Sequence, residues 1–354
     1  MACTTAIVYS ERYLNHDPGP THPESPSRLR AAVDGLAKAK FAETGNCRFV
    51  KPRPALKSEV ETAHSLSYIK ALEKFCKLGG GPLAADTIVR NESFNTALLA
   101  VGGAVKACEL VMSKNFKNAF ALVRPPGHHA GLNYPYGFCL FNNVAVAAKI
   151  LKESRFIRRV FIFDLDGHHG NGTQEIFNDA SDILFISLHQ NPRTLFPWTG
   201  YPHEIGEGEG EGFKINIPLP PGSNDEIYFQ ALEQLIEPVV AQFKPQFIFI
   251  SAGFDAHYMD PLTDLRLSTG GYIKLFDFAL NASYKFCDGR IVAVLEGGYN
   301  PASLSRTIKA AIARMAQIPL QVKDEIQPTS NNVRKEAGET ISLIKEILSP
   351  YWNF

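Results

Sequence analysis

Two clusters in this 354-residue chain carry side chains suited to holding a metal ion. In Asp164-Leu165-Asp166-Gly167-His168-His169-Gly170-Asn171-Gly172, a carboxylate and an imidazole sit two positions apart at Asp166 and His168. At a strand end that spacing lets both project to one side. Asp255, in Ser251-Ala252-Gly253-Phe254-Asp255-Ala256-His257, supplies a third N/O donor. Three protein ligands with an open position is the arrangement of a catalytic zinc site, where the ion polarises a carbonyl and acidifies a water. A lone Asp-x-His reads more simply as a helix cap. Asp-x-Asp-x-His-His followed by a second strand-end aspartate points to a metal.

Two further clusters bring acid–base groups. Arg124-Pro125-Pro126-Gly127-His128-His129-Ala130 holds adjacent histidines on a loop shaped by proline and glycine. Beside a metal they read as a general base and an electrostatic partner. Each needs a group to fix its tautomer, and Asp164 and Asn171 are candidates. In Glu296-Gly297-Gly298-Tyr299-Asn300 the glycines let the backbone approach a ligand, and the Tyr299 phenol can donate to a developing oxyanion. Taken alone, Tyr299 is a turn tyrosine. Cys139, the cysteine beside these motifs, reads as buried filler rather than a nucleophile.

The elements that position these clusters alternate between short apolar runs and longer helical stretches. The runs are Thr5–Tyr9, Ala119–Arg124, Arg159–Asp164, Ile183–His189, Phe213–Leu219, Gln246–Ser251 and Arg290–Leu295. Most are apolar on both faces, the mark of a parallel sheet covered by helices. Helices are expected over Arg28–Lys40, Phe94–Met112, Asn142–Glu153, from Ser223 or Asn224 to Phe243, Ser268–Phe286 and Pro301–Ala316. The alternation predicts one α/β domain over 1–354, with a mainly parallel central sheet flanked by helices and a helical tail from about residue 331. Ligands in such sheets bind beyond the carboxyl ends of the strands. Each of the four clusters follows one of the runs.

Composition bounds the rest. Basic and acidic residues balance at 36 each, and no long basic run is present, so nothing points to a grip on nucleic acid or an anionic membrane. No run reads as long enough for a membrane span, and the N-terminus lacks a secretory pattern. Six scattered cysteines without a CxxC pair read as reduced thiols of a cytoplasmic protein.

Together the four clusters resemble the histone deacetylase family, which includes bacterial and archaeal amidohydrolases and acetylpolyamine deacetylases. Thr21-His22-Pro23-Glu24-Ser25-Pro26-Ser27-Arg28, His64-Ser65-Leu66-Ser67-Tyr68-Ile69, Asp260-Pro261-Leu262 and Leu267-Ser268-Thr269 extend the match, which runs from about Tyr9 to about Ile318. The resemblance implies the arginase/deacetylase fold and hydrolysis of the amide of an acetylated lysine side chain or a small acylated amine. It implies zinc, with ferrous iron as an alternative, on Asp166, His168 and Asp255. It also implies His129 as base and acid, His128 as its partner, Asp164 orienting His128, Asn171 orienting His129, and Tyr299 polarising the scissile carbonyl.

The same resemblance carries over a substrate tunnel lined by Gly137, Phe138, Phe196 and Leu262, and a rim aspartate, Asp86, that grips substrate backbone amides. Leu262 stands where the polyamine-selective branch carries a glutamate, which disfavours a second ammonium in the substrate. A potassium or sodium ion is implied at Asp164, Asp166, His168, Ser187 and Leu188. A second monovalent site is implied at the carbonyls of Phe177, Ala180, Ile183 and Phe213. Gly167 departs from the family, which has a larger residue there. The competing readings are an acetylpolyamine or small-molecule amidohydrolase, a binuclear manganese ureohydrolase, and an acyl-lysine binding module without turnover. The residues leave oligomeric state open.

Overall fold

In the computed structural model, residues 5–153, 156–322 and 326–354 are described. Eight strands form one parallel sheet: β1 Thr5–Val8, β2 Cys47–Val50, β5 Asn118–Ala121, β6 Val160–Asp164, β7 Ile183–Gln190, β8 Lys214–Leu219, β9 Phe247–Ala252 and β10 Ile291–Leu295. A separate two-residue antiparallel pair joins β3 Gly81–Pro82 to β4 Ile88–Val89. The order across the large sheet is β2-β1-β5-β10-β9-β6-β7-β8. Every residue of β5, β6, β9 and β10 is buried, as expected for apolar runs covered on both faces. These four strands are neighbours at the centre of the sheet. All four chemistry-bearing clusters therefore leave it at adjacent carboxyl ends.

Several boundaries differ from the sequence expectation for physical reasons. The run beginning at Ala119 pairs only through Ala121, because Arg124 leads into Pro125-Pro126, which cannot donate to a ladder. The stretch to Phe243 is helical from Asp225 but widens into a π turn over Leu232–Ile236. Pro238 follows at once; it has no N–H to give, and the wider turn lets the helix pass it. Helix Ser93–Met112 corrects the reading that no segment has membrane-span length. It is 20 residues long and apolar enough, but most of it is buried inside this fold, so it is a core helix.

The C-terminal helix Asn331–Leu348 buries Ala337, Ile341, Ile344 and Leu348. Beyond it, the Trp352 indole N–H donates to the Gly212 carbonyl at 2.7 Å. The tail thus packs on its own chain.

A charged cluster sits fully buried near the sheet's carboxyl edge. Glu24 accepts from Arg124 at 2.8 Å and from Arg28 at 3.1 Å, and His16 lies 3.5 Å away. Burial opposes ionisation of Glu24, but Arg124, His16 and Arg28 outweigh it and bring its pKa down to about 2 from 4.5. Burial takes His16 down to about 4 from 6.5, despite the pull of Glu24.

Both shifts have one sign. The unfolded chain takes up a proton at His16 as pH falls below 6.5, and another at Glu24 below 4.5, before the folded chain does. The stabilisation this cluster contributes is therefore full above about pH 6.5 and falls through the acid range. Urea unfolding at stepped pH should show this decline, and Glu24→Gln should flatten its lower part while losing about 3 kcal/mol at neutral pH. An unaltered acid limb in that variant would remove Glu24 from the explanation.

Candidate active site

β6 ends at Asp164, and the chain turns immediately to present Asp166 and His168. β9 ends at Ala252, three residues before Asp255. One donor atom each from Asp166, His168 and Asp255 lies within 4.8 Å of the others. His168 Nδ1 is 3.1 Å from Asp166 Oδ1 and 2.9 Å from Asp255 Oδ2. The remaining carboxylate oxygens are held by backbone: Gly297 N–H donates to Asp166 Oδ2 at 2.8 Å, and Gly167 N–H to Asp255 Oδ1 at 2.6 Å. Two fully buried carboxylates against one imidazole make an electron-rich set. Burial favours the neutral form of Asp255 and the nearby Asp166 charge raises it further, while His128 and His168 hold Asp166 ionised against its burial. A divalent cation at their common point neutralises such a set, so these residues fit a metal.

Close approach explains two glycines. A Cβ at Gly297 would stand 2.4 Å from Asp166 Oδ2 and 2.5 Å from Asp255 Oδ2, so no side chain fits there. A Cβ at Gly167 would meet the Thr263 methyl at 2.7 Å. Thr263 donates to the Asp255 carbonyl at 2.6 Å, so the space left by Gly167 is filled by the residue that braces Asp255.

The paired histidines follow β5 and are split by their surroundings. His128 Nδ1 lies 3.1 Å from Asp164 Oδ2. Burial works against its charge, but Asp166 and Asp164 prevail and lift its pKa to about 10. His129 Nδ1 is 2.7 Å from Asn171 Oδ1. Asn171 offers no charge, and burial with the positive charge of His128 and His168 pushes His129 well below its usual value. With its Nδ1–H given to Asn171, the neutral ring keeps Nε2 for the cavity it lines. Two adjacent imidazoles with opposite shifts are an acid–base division of labour.

Tyr299 follows β10. Its N–H donates to Asp260 Oδ2 at 2.6 Å, and the Arg28 guanidinium lies 4.7 Å from its ring centre. Arg28 also donates to the carbonyls of Gly298 at 2.6 Å and Glu296 at 2.5 Å. Burial keeps the phenol protonated, its pKa well above the usual value.

A cavity of about 260 Å³ joins these groups, lined by Asp86, His129, Gly137, Phe138, His168, Leu195, Phe196, Leu262 and Tyr299. All five sequence-assigned tunnel and rim residues are present in it. Cys139 is buried and burial raises its pKa well above the usual thiol value, so it remains a thiol.

Some contributors lacked a sequence signal of their own. Leu195 is one. Glu296 takes N–H donors from Gly127 at 2.6 Å and His128 at 3.1 Å, fixing the histidine loop. His22 reaches the Asp86 carbonyl at 3.0 Å with Nε2 and places its ring 4.8 Å from that of Phe138. Thr87 links the rim to the tunnel: its hydroxyl donates to Asp86 Oδ1 at 2.9 Å and accepts the Phe138 N–H at 3.1 Å. His22, Glu24 and Arg28 share one sequence motif, but only the folded chain brings them to Asp86, Arg124 and the Glu296 and Gly298 carbonyls and so reveals what they hold.

The monovalent sites divide. β6 and β7 pair with Asp164 opposite Ser187, so Ser187 and Leu188 lie beside the end of β6, from which the chain runs on to Asp166 and His168. The carbonyls of the second set already accept donors from within the chain. The Lys214 ammonium donates to the Ala180 and Ile183 carbonyls, each at 2.8 Å, while the Phe177 and Phe213 carbonyls accept N–H groups of Ala180 and Phe185.

Comparison with known proteins agrees with this architecture. A model of the histone deacetylase domain matches residues 22–315. A probable deacetylase of Archaeoglobus fulgidus is 43% identical, over 98% of each chain. A histone deacetylase-like amidohydrolase of Pseudomonas aeruginosa is 34% identical, over 92% of this chain and 90% of its own. The crystal structure of the HDA15 HD domain superposes with a TM-score of 0.90 at 34% identity, covering 99% of this chain and 96% of that one. On fold, motif order and extent of match alike, this chain belongs to the histone deacetylase family and is a hydrolytic deacetylase.

Proposed function

We propose that the chain is a zinc-dependent deacylase that hydrolyses the amide of an acetylated lysine side chain in a peptide or protein. One observation carries the reading: a neutral His129 and a protonated Tyr299 share a cavity with His168, whose Nδ1 lies against the Asp166 and Asp255 carboxylates. When bound to those donors, a divalent ion supplies Lewis-acid polarisation of the acyl oxygen and acidification of water. Zinc suits two carboxylates and an imidazole, and ferrous iron accepts the same set.

The residues supply the rest. Phe138 and Phe196 hold the alkyl stem of lysine and exclude water. His129 Nε2 takes the proton from the attacking water and returns it to the leaving amine, with Asn171 holding the ring in position. The His128 imidazolium, set by Asp164, offsets the surrounding negative charge. Tyr299 donates to the acyl oxygen as it gains charge. A monovalent ion at Asp164, Asp166, His168, Ser187 and Leu188 belongs to the same proposal.

Two features favour acyl-lysine in a peptide over an acylated polyamine. Leu262 brings no carboxylate to the cavity, and Asp86 stands at its rim, buttressed by His22 and Thr87. Purified protein should turn over acetyl-lysine peptides faster than acetylated polyamines. Asp86→Asn should raise KM for the peptide about tenfold while leaving a small acetylated amine unaffected. Preference for the polyamine, or equal effects of Asp86→Asn on both substrates, would refute the peptide assignment.

A further inference from the structure

Lys214 opens β8, and its side chain is fully buried. A buried charge is costly unless polar groups replace its water. Here the direct partners are backbone carbonyls, Ala180 and Ile183, at 2.8 Å each. Burial pulls the Lys214 pKa down to about 7, against the weaker, more distant pull of Asp182 and Asp179, and Asp182 is itself paired with Lys152. Converging carbonyl dipoles are the groups that replace the hydration shell of a bare monovalent cation. An ammonium of the same charge, tethered to the sheet, answers them without any ion from solution.

We propose that the Lys214 ammonium is a built-in substitute for a dissolved alkali cation at this loop, so that this chain holds no potassium or sodium between the Ala180 and Ile183 carbonyls.

The location gives the tether a purpose. Residues 177–182 connect helix Asn171–Ile176 to β7. That helix begins at Asn171, which holds His129, and carries Gln174, which lies 3.0 Å from His169. Asn216, two residues beyond Lys214, donates to Gln174 at 2.8 Å. Lys214 and Asn216 thus pin both ends of one segment to β8. A covalently attached cation keeps that segment in place whatever the salt composition, where a dissolved ion would leave it dependent on potassium concentration.

Thallous ion, a heavy surrogate for potassium, tests this directly in crystals of the full chain at mildly acidic pH, where the amine is protonated. The wild type should show no anomalous peak between the Ala180 and Ile183 carbonyls. Lys214→Ser, which vacates the space, should acquire one. In solution, exchanging choline chloride for potassium chloride should raise the Tm of Lys214→Ser more than that of the wild type. Lys214→Met, whose stem still fills the space, should show no such gain. Thallium at these carbonyls in the wild type overturns the proposal, as does a folded Lys214→Ser that stays empty and gains no potassium response. Should Lys214→Ser fail to fold, the wild-type crystal alone decides.

Discussion

Tyr299→Phe should keep the fold and lower turnover of an acetyl-lysine peptide by about two to three orders of magnitude. The change removes one oxygen and leaves the ring, so the contact with Phe138, whose ring centre is 5.6 Å away, and the Arg28 guanidinium over the ring face survive. The backbone stays pinned by Asp260 and Arg28. What is lost is a donor to the acyl oxygen, and such a donor counts most at the moment charge develops. The loss should therefore fall on kcat, with KM changed little. A kcat within a few-fold of wild type, with the thermal unfolding curve unchanged, would remove Tyr299 from the chemistry. A rise in KM at constant kcat would make it a binding residue only.

His129→Ala should lower turnover by at least about two orders of magnitude. Its Nε2 is the neutral nitrogen facing the cavity, because Asn171 engages Nδ1 and the His128 and His168 charges oppose protonation. His128 cannot take over: its Nδ1 faces Asp164, and its raised pKa keeps it protonated at neutral pH. Since base and oxyanion donor act in one step, the double variant with Tyr299→Phe should lose far less than the product of the single losses. Single-turnover rates on the purified variants check both statements. Wild-type rates for His129→Ala would mean that another group accepts the proton.

The sequence exposed the parts of the molecule whose chemistry and periodicity coincide. Strands such as Val160–Asp164 and Phe247–Ala252 are apolar on both faces, and each leads directly into a polar cluster. Their burial in a helix-covered parallel sheet and the convergence of Asp166, His168 and Asp255 were therefore readable from the residues. The edge strand Cys47–Val50 was not, because Arg48 and Phe49 face outward and the run is short. Helix Leu66–Lys77 buries only Tyr68, Ile69, Leu72 and Cys76, a narrow stripe among lysines.

The remaining gaps are long-range contacts. Nothing near Gly167 announces that Thr263 will fill its space. A lysine at the start of a strand reads as solvated, and only the fold places the Lys214 ammonium on two carbonyls. His22 precedes the rim aspartate by 64 positions, and their contact exists only once the chain has folded.

Asp166, His168 and Asp255 together should hold one ion. Elemental analysis of the purified chain, wild type beside a folded Asp255→Ala, tests it most directly. One zinc or ferrous iron per wild-type chain and nearly none in the variant is the expected result. A full equivalent retained by Asp255→Ala, or a wild type that hydrolyses substrate at full rate after its metal has been stripped, would contradict it.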